Sequence, residues 1–262
     1  MQLNDIAFEK RGAVATITFN RPEYGNSFSE NTYVEVPKAL AIVGSDPEIH
    51  VLIITGAGKH FCAGGDINRF KRQIDSKKYL EKENIMRAGR MAAAISACPK
   101  PTIAMINGAA AGAGCAVALA CDFRVGTVGS KLIMAFIKMG LSGDTGCFYY
   151  LQSLVGVARA KQLMMLGDVI TGEEAYSMGL LTLLAEEGSL QEETDKLAMR
   201  LAAGPAAAYA RQKAIAAEFF QKDMQEYLVK EALYMEECSR TEDFEEAVNS
   251  FLEKRTPVFK GR

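Results

Sequence analysis

The pattern of apolar and polar positions predicts strands in the first half of the chain. Apolar and polar residues alternate over residues 6–10 and again over 14–19, and the Arg11-Gly12 turn between them predicts a β-hairpin. Residues 51–55 and 102–106 are unbroken apolar runs, which are typical of strands covered on both faces. A third short strand is predicted at 123–125.

Helices are predicted between these strands and throughout the rear of the chain. Ser29 can cap a helix that runs into the forties, and Pro37 predicts a break or kink within it. One polar helical stretch is expected over 66–97, and an apolar helix ends near Cys121. From residue 145 helix is expected to follow helix, with caps at Thr171, Ser189 and Thr241. This order predicts an α/β core followed by a helical C-terminal region.

Composition narrows the function classes. The chain has 262 residues, and 30 basic against 32 acidic side chains give a net charge of −2, which argues against nucleic-acid binding. No long charge-free apolar run or secretory signal is present, so we expect a cytoplasmic protein without a membrane partner. Six scattered cysteines and only two histidines predict neither a disulfide framework nor a metal site.

Small residues follow two of the predicted strands at the points where helices begin. Residues 56–59 lack the spacing of a phosphate-binding P-loop, and 108–114 lack the spacing of a dinucleotide fingerprint. The segments 62–66 and 108–114 can instead bring backbone N–H groups to a ligand oxygen at helix N-termini. From the residues alone, close packing of helix against strand explains the same pattern, and it is the simpler interpretation.

Several motifs resemble those of one family. Residues 61–67 (FCAGGDI) are similar to the F-x-A-G-x-D-[IL] segment of the crotonase, or enoyl-CoA hydratase/isomerase, superfamily. Residues 101–108 (PTIAMING), 112–115 (GAGC) and 121–124 (CDFR) resemble the segments that follow in that family. Residues 20–22, 175–180 and 251–255 also match, so the resemblance extends over essentially the whole chain in order.

The resemblance implies an α/β fold, a crotonase-like spiral of ββα units over 1–200 with a C-terminal helical trimerisation region over 201–262. It implies a homotrimer or dimer of trimers that binds an acyl-CoA thioester, with coenzyme A present only as part of the substrate and no other cofactor. The backbone N–H groups of Ala63 and Ala113 would form the oxyanion hole. Ala116, Phe136 and Met86 are candidates for the acyl pocket, and the candidates for coenzyme A binding are Arg21, Lys59, Phe61, Lys254 and Lys260.

The acidic residues indicate which family reaction to expect. Family hydratases use two glutamates, whose places are taken here by Ala116 and Phe136, so a two-glutamate hydration is not expected. Asp144 matches an aspartate of family isomerases and aryl-CoA dehalogenases, although it could equally cap the following helix. We expect Asp144 to shift a double bond in an enoyl-CoA. Nucleophilic hydrolysis or dehalogenation by Asp144, and an inactive acyl-CoA-binding relative, remain as alternatives.

Overall fold

A computed structural model describes residues 3–262, which form two sheets surrounded by helices. The larger sheet has six strands in the order β1-β2-β3-β4-β6-β9, and the smaller has the order β5-β7-β8. The strands are β1 Ile6–Arg11, β2 Val14–Phe19, β3 Val51–Gly56, β4 Thr102–Ile106, β5 Ala109–Ala111, β6 Phe123–Thr127, β7 Lys131–Ile133, β8 Val169–Thr171 and β9 Leu183–Ala185. Strands β1 and β2 pair antiparallel as the predicted hairpin, whereas every other pairing in the large sheet is parallel.

Ten helices complete the described chain. They are α1 Thr32–Ser45, α2 Ile67–Asp75, α3 Lys82–Ser96, α4 Ala113–Ala120, α5 Cys147–Leu166, α6 Gly172–Ser177, α7 Leu190–Ala202, α8 Ala206–Phe220, α9 Met224–Cys238 and α10 Glu242–Glu253. No helix among residues 3–262 has the length and apolar character needed to cross a membrane.

The large sheet is covered on both faces, as the unbroken apolar runs predict. Val51 and Ile53 of β3 pack in a cluster with Ala198 and Leu201 of α7. The alternate β3 residues Leu52 and Ile54 face a second, larger core on the other side of the sheet. That core continues into α9 and α10 and buries Leu228, Ala232, Met235 and Val248. The apolar stripes of the helical C-terminal region are thus, at these four positions, part of the chain's own core.

Several predicted helix boundaries are wrong, for local reasons. The first helix begins at Thr32, three residues after Ser29, whose hydroxyl accepts from the Asn31 N–H and donates to Asp5. Pro37 does not end this helix, since it lies in the second turn and forfeits only the bond to an early carbonyl. The polar stretch at 66–97 is two helices with a break near Lys77, whose φ is +52°.

The rear of the chain also departs from the prediction. It contains the short strands β8 and β9, and β9 completes the large sheet beside β6. Thr171 and Thr241 cap helices with their hydroxyls as predicted, whereas Ser189 precedes α7 without a side-chain cap.

Candidate active site

A cavity of about 560 Å³ lies between the loop after β3, the start of α4, and helices α2, α3 and α9. Its wall includes Gly65 and four of the eleven predicted site residues, namely Ala63, Ala113, Phe136 and Asp144. Further apolar side chains of the cavity wall come from α2, α3, α9, α10 and the segment between α2 and α3. They include Phe70, Leu80, Ile85, Met235 and Phe251. The cavity is therefore large enough for an organic ligand and mostly apolar.

Backbone hydrogen bonds tie the loop after β3 to the start of α4. The Cys62 N–H donates to Ala109 O at 3.1 Å, and the Ala111 N–H donates to Cys62 O at 2.9 Å. Gly114 allows this approach, because a Cβ there would stand 2.4 Å from the Cys62 carbonyl oxygen. Gly64 has φ +92°, and a Cβ there would stand 2.7 Å from Ala111 O. The glycines thus serve both close packing and the cavity, which the sequence left as alternatives.

Within the described chain, the backbone N–H groups of Gly65 and Ala113 are free to bind a ligand at the cavity, whereas that of Ala63 is not. The Ala63 N–H donates to Gly25 O at 2.9 Å and is not free to bind a ligand, so its assignment as an oxyanion-hole donor is wrong. Gly65, two residues later, also lines the cavity, and its N–H has no hydrogen-bond partner among residues 3–262. The Ala113 N–H is likewise unpartnered within the described chain, because it is the first of α4.

Asp144 lies on an unusual turn at the cavity wall. Gly143, Thr145 and Gly146 all have positive φ, of +116°, +62° and +73°. A positive φ is rare for a β-branched residue such as Thr145, and backbone strain of this kind concentrates at functional sites. Helix α5 begins at Cys147 with Gly146 as its N-cap, so Asp144 does not cap it and that alternative is excluded.

The environment of Asp144 favours its neutral form. Burial raises the pKa of Asp144 to about 6, although the Thr145 hydroxyl, which donates to it at 2.7 Å, and the charge of Arg69 both act in the opposite direction. The other acids at the cavity are engaged or exposed. Asp66 caps α2 and lies 3.6 Å from Arg21, and Glu30 pairs with Arg69 and Arg87. Asp144 is therefore the cavity acid best suited to exchange protons near neutral pH.

The Phe136 ring forms an apolar wall between Gly112, which precedes α4, and Gly143, which precedes Asp144. A Cβ on Gly112 would stand 3.6 Å from its ring, and one on Gly143 would stand 3.7 Å away. Of the other predicted acyl-pocket residues, Ala116 and Met86 are buried in the core and do not line the cavity. Their side chains turn inward from α4 and α3, so their assignment to the pocket wall is wrong. The sequence analysis overlooked other lining residues, including Tyr33, Arg69 and Gln73.

The residues predicted to bind coenzyme A are dispersed. Phe61 is fully buried against Phe19 with ring centroids 5.6 Å apart, so the prediction that its side chain binds a ligand is wrong. Arg21 lines a neighbouring polar cavity of about 410 Å³, but its guanidinium also lies near Asp5 and Asp66. Lys59 is exposed outside both cavities. The tail folds back onto α10, where Lys260 pairs with Glu242 at 3.1 Å, and Lys254 ends that helix in the exposed C-cap.

Residues 3–262 contain no group of three or more histidine, cysteine or acidic side chains arranged to hold a metal ion. Burial raises the pKa of the Cys62, Cys115 and Cys121 thiols to about 12. These cysteines are therefore packing residues rather than nucleophiles at neutral pH.

The chain is similar to known proteins along nearly its whole length. The family model described as enoyl-CoA hydratase/isomerase matches residues 9–262. A trans-2-decenoyl-[acyl-carrier-protein] isomerase of Streptococcus mutans serotype c is 32% identical, with 100% of both chains covered. A crotonyl-CoA hydratase of Syntrophomonas wolfei is 34% identical over 99% of both. The crystal structure of an enoyl-CoA hydratase from Mycobacterium avium subsp. paratuberculosis superposes with a TM-score of 0.89 at 30% identity, covering 99% of this chain and 100% of that one.

Proposed function

The chain belongs to the enoyl-CoA hydratase/isomerase family, and we propose that it shifts a carbon–carbon double bond in an enoyl thioester with Asp144 as the proton shuttle. The observation that carries this proposal is the position of Asp144 on the same cavity wall as the unpartnered N–H groups of Gly65 and Ala113. The similarity to an acyl-carrier-protein isomerase over the full chain supports the same reaction type. We take the substrate to be an acyl-CoA, with coenzyme A as its carrier and no additional cofactor.

The reaction needs one base and one site for negative charge. The ionised Asp144 removes a proton from C2 of a 3-enoyl thioester, and the electron pair moves onto the thioester oxygen. The Gly65 and Ala113 N–H groups donate to that oxygen, and one such donor can lower the barrier by about 3 kcal/mol. Asp144 then returns the proton to C4 as the double bond forms between C2 and C3, which regenerates the carboxylate.

The raised pKa of Asp144 supports both halves of this cycle. A carboxyl with a pKa of about 6 is ionised at pH 7, yet it is a stronger base than an ordinary aspartate. The protonated form is also a moderate acid, so it can deliver the proton to C4 without assistance from a second residue.

Hydration is the less favoured reaction for this cavity. Water addition in the family uses two glutamates, and here the corresponding places hold Ala116, which is buried behind the wall, and the Phe136 ring. Dehalogenation or hydrolysis through attack by Asp144 is a different outcome of the same site. It would require a separate base, and residues 67–97 contain no histidine.

A panel of acyl-CoA thioesters tests the proposal. The protein is incubated with 3-enoyl, 2-enoyl and aromatic acyl-CoAs, and the products are analysed by mass spectrometry and by the ultraviolet absorbance of the conjugated thioester. We expect 3-enoyl-CoA to become 2-enoyl-CoA without a change in mass, and the product formed in deuterated water to carry deuterium. A gain of 18 Da would establish hydration, and loss of halide from an aromatic thioester would establish dehalogenation; either result without isomerisation rejects the proposal.

A further inference from the structure

A second partly buried acid, Glu231 on α9, contacts the turn that carries Asp144. We propose that Glu231 is a positioning residue that fixes Asp144 at the cavity wall by holding the backbone of Gly146. Glu231 does not line the cavity itself, so it acts through the turn rather than on the ligand. This inference rests on the proposed role of Asp144 and adds the C-terminal helical region to the residues on which catalysis depends.

The hydrogen bonds of Glu231 are short and partly buried. The Gly146 N–H donates to Glu231 Oε2 at 2.8 Å, and the Tyr227 hydroxyl donates to Oε1 at 2.9 Å. Tyr227 is in turn held against the Tyr149 ring, with centroids 5.2 Å apart. One carboxyl group therefore links α9 to the first residues of α5, directly behind the Asp144 turn.

The turn requires such an anchor because its conformation is intrinsically unfavourable. Thr145 is fully buried with a φ of +62°, a conformation that persists only where the surroundings impose it. Gly146 is the N-cap of α5, and no side chain caps this helix. Neighbouring packing restricts the same residue, since a Cβ on Gly146 would stand 3.0 Å from the Tyr150 ring. Loss of the Glu231 contact would leave the Gly146 N–H without an acceptor and release one end of the turn.

Glu231 makes these contacts as a neutral acid. Burial and the charge of Asp144 raise the pKa of Glu231 to about 8, so the carboxyl is mostly protonated at pH 7. The titratable groups facing it are Asp144, Cys147 and Tyr150 from the turn and α5, and Tyr227 from α9. A neutral carboxyl can accept from the Gly146 N–H with one oxygen and from the Tyr227 hydroxyl with the other. It therefore holds the turn without adding a second negative charge behind Asp144.

Three variants of the full-length protein separate anchoring from other roles. Glu231→Gln keeps the size of the side chain and a carbonyl acceptor for the Gly146 N–H, so we expect isomerase kcat to stay within about threefold of wild type. Glu231→Met keeps the length of the side chain but removes the acceptor, and kcat should fall by about 10- to 100-fold, as expected for a displaced catalytic group. KM should change little in both variants. Glu237→Gln, at an exposed position of the same helix, removes a charge as the matched control and should behave as wild type.

Hydrogen–deuterium exchange provides a measurement that does not depend on turnover. The peptide containing residues 143–147 should exchange faster in Glu231→Met than in wild type, and at the wild-type rate in Glu231→Gln and Glu237→Gln. If wild type proves not to be an isomerase, the proposed function fails, whereas the exchange data still decide whether Glu231 anchors the turn. Wild-type exchange in Glu231→Met would overturn the inference. So would an equal loss of kcat in Glu231→Gln, which would mean that the charge is required, or an effect confined to KM.

Discussion

At the scale of single residues, the surroundings of Asp144 set the pKa of its carboxyl. Its carboxyl is partly buried at a cavity wall, where Thr145 is the only donor to it among residues 3–262, and its pKa is raised to about 6. The nearby Asp66 has a similar sequence setting but accepts N–H bonds from Asn68 and Arg69 and lies close to Arg21. Two aspartates on one cavity thus have different surroundings: Asp66 is engaged by backbone N–H groups and Arg21, whereas Asp144 accepts from the Thr145 hydroxyl.

Replacing Asp144 by Asn tests its role as the shuttle. The amide has nearly the same size but cannot accept a proton at neutral pH, so isomerase turnover should fall by about 10²-fold or more. Thermal stability at pH 7.5 should rise, because the substitution removes a charge from a poorly solvated position. The rise of the Asp144 pKa from 3.8 to about 6 corresponds to a free-energy penalty on the order of 1–3 kcal/mol for the charged form. Steady-state kinetics and thermal unfolding check both expectations. Undiminished turnover in Asp144→Asn would contradict the shuttle, and a stable acyl ester at Asp144 in wild type would favour the nucleophilic route.

The pH dependence of catalysis follows from the same group. Asp144 must be ionised to act as a base, so kcat/KM should be level above about pH 7 and fall about tenfold per pH unit well below its pKa of about 6. Ionisation of Asp144 promotes catalysis but lowers the stability of the folded protein. A raised carboxyl pKa disfavours the ionised folded state, so the penalty develops from about pH 4 upward and is complete above about pH 6. The stability gain of Asp144→Asn should therefore be larger at pH 7.5 than at pH 4.5, and a gain independent of pH would contradict the burial of this charge.

At the scale of structural elements, the site exists because two segments distant in sequence pair closely. The loop after β3 hydrogen-bonds to β5, and the start of α4 lies against the same loop. Gly65 and Ala113 come from these two segments, and each leaves one N–H toward the cavity. Glycine at 114 makes this pairing geometrically accessible, since the Cys62 carbonyl occupies the space that a side chain would need.

A Gly114→Ala variant tests the importance of this close approach. The added methyl would stand 2.4 Å from the Cys62 oxygen, so the backbone must shift, at a cost of about 1–3 kcal/mol and most of the isomerase activity. Gly44→Ala is the matched control, because it is also a helical glycine and its methyl would stand 3.7 Å from Pro99. That variant should be neutral or more stable by about 0.5–1 kcal/mol. Denaturant unfolding and the isomerase assay compare the two, and equal effects would show that the contact with Cys62 is unimportant.

At the scale of the whole molecule, the C-terminal helices are part of the fold rather than an appendage. Helices α9 and α10 supply core residues, Met235 and Phe251 line the cavity, and Phe70 of α2 packs edge-on against Phe244 of α10 at 5.6 Å. Several large apolar residues in this region remain exposed, namely Ile215, Phe219, Leu233 and Tyr234. An exposed apolar surface of this kind is typical of contacts between subunits.

The family resemblance implies a homotrimer or a dimer of trimers, and we expect this exposed surface to contribute to contacts between its subunits. The exposed residues of α8 and α9 provide an apolar surface, whereas Leu228, Ala232, Met235 and Val248 are buried within the chain. Sedimentation equilibrium at micromolar concentration should give a mass of three or six times 28.5 kDa. Replacing Ile215 and Phe219 by Ser should shift the distribution toward monomer while leaving the secondary structure intact. A wild-type protein that sediments only as a monomer would contradict the expectation.

The amino-acid sequence by itself determined the family, the hairpin, the buried strands and the presence of Asp144 and Ala113 at the site. These features follow from local patterns: apolar periodicity, turn residues and motifs of fixed spacing. The helix boundaries near Ser29, Pro37 and Lys77 could not be predicted from the sequence, because tertiary contacts and single backbone hydrogen bonds decide where a helix ends. The strands β8 and β9 are each three residues long, and such short elements carry little periodic signal.

Only the tertiary structure decided which atoms face the cavity. The choice between Ala63 and Gly65 as donor depends on one hydrogen bond, from the Ala63 N–H to Gly25 O, that joins residues 38 positions apart in the sequence. The inward orientation of Ala116 and Phe61, and the contact of Glu231 with Gly146, likewise arise from packing between distant segments. A sequence motif specifies the residues of a turn, but the direction of each N–H and the burial of each carboxyl depend on what the rest of the chain places beside it.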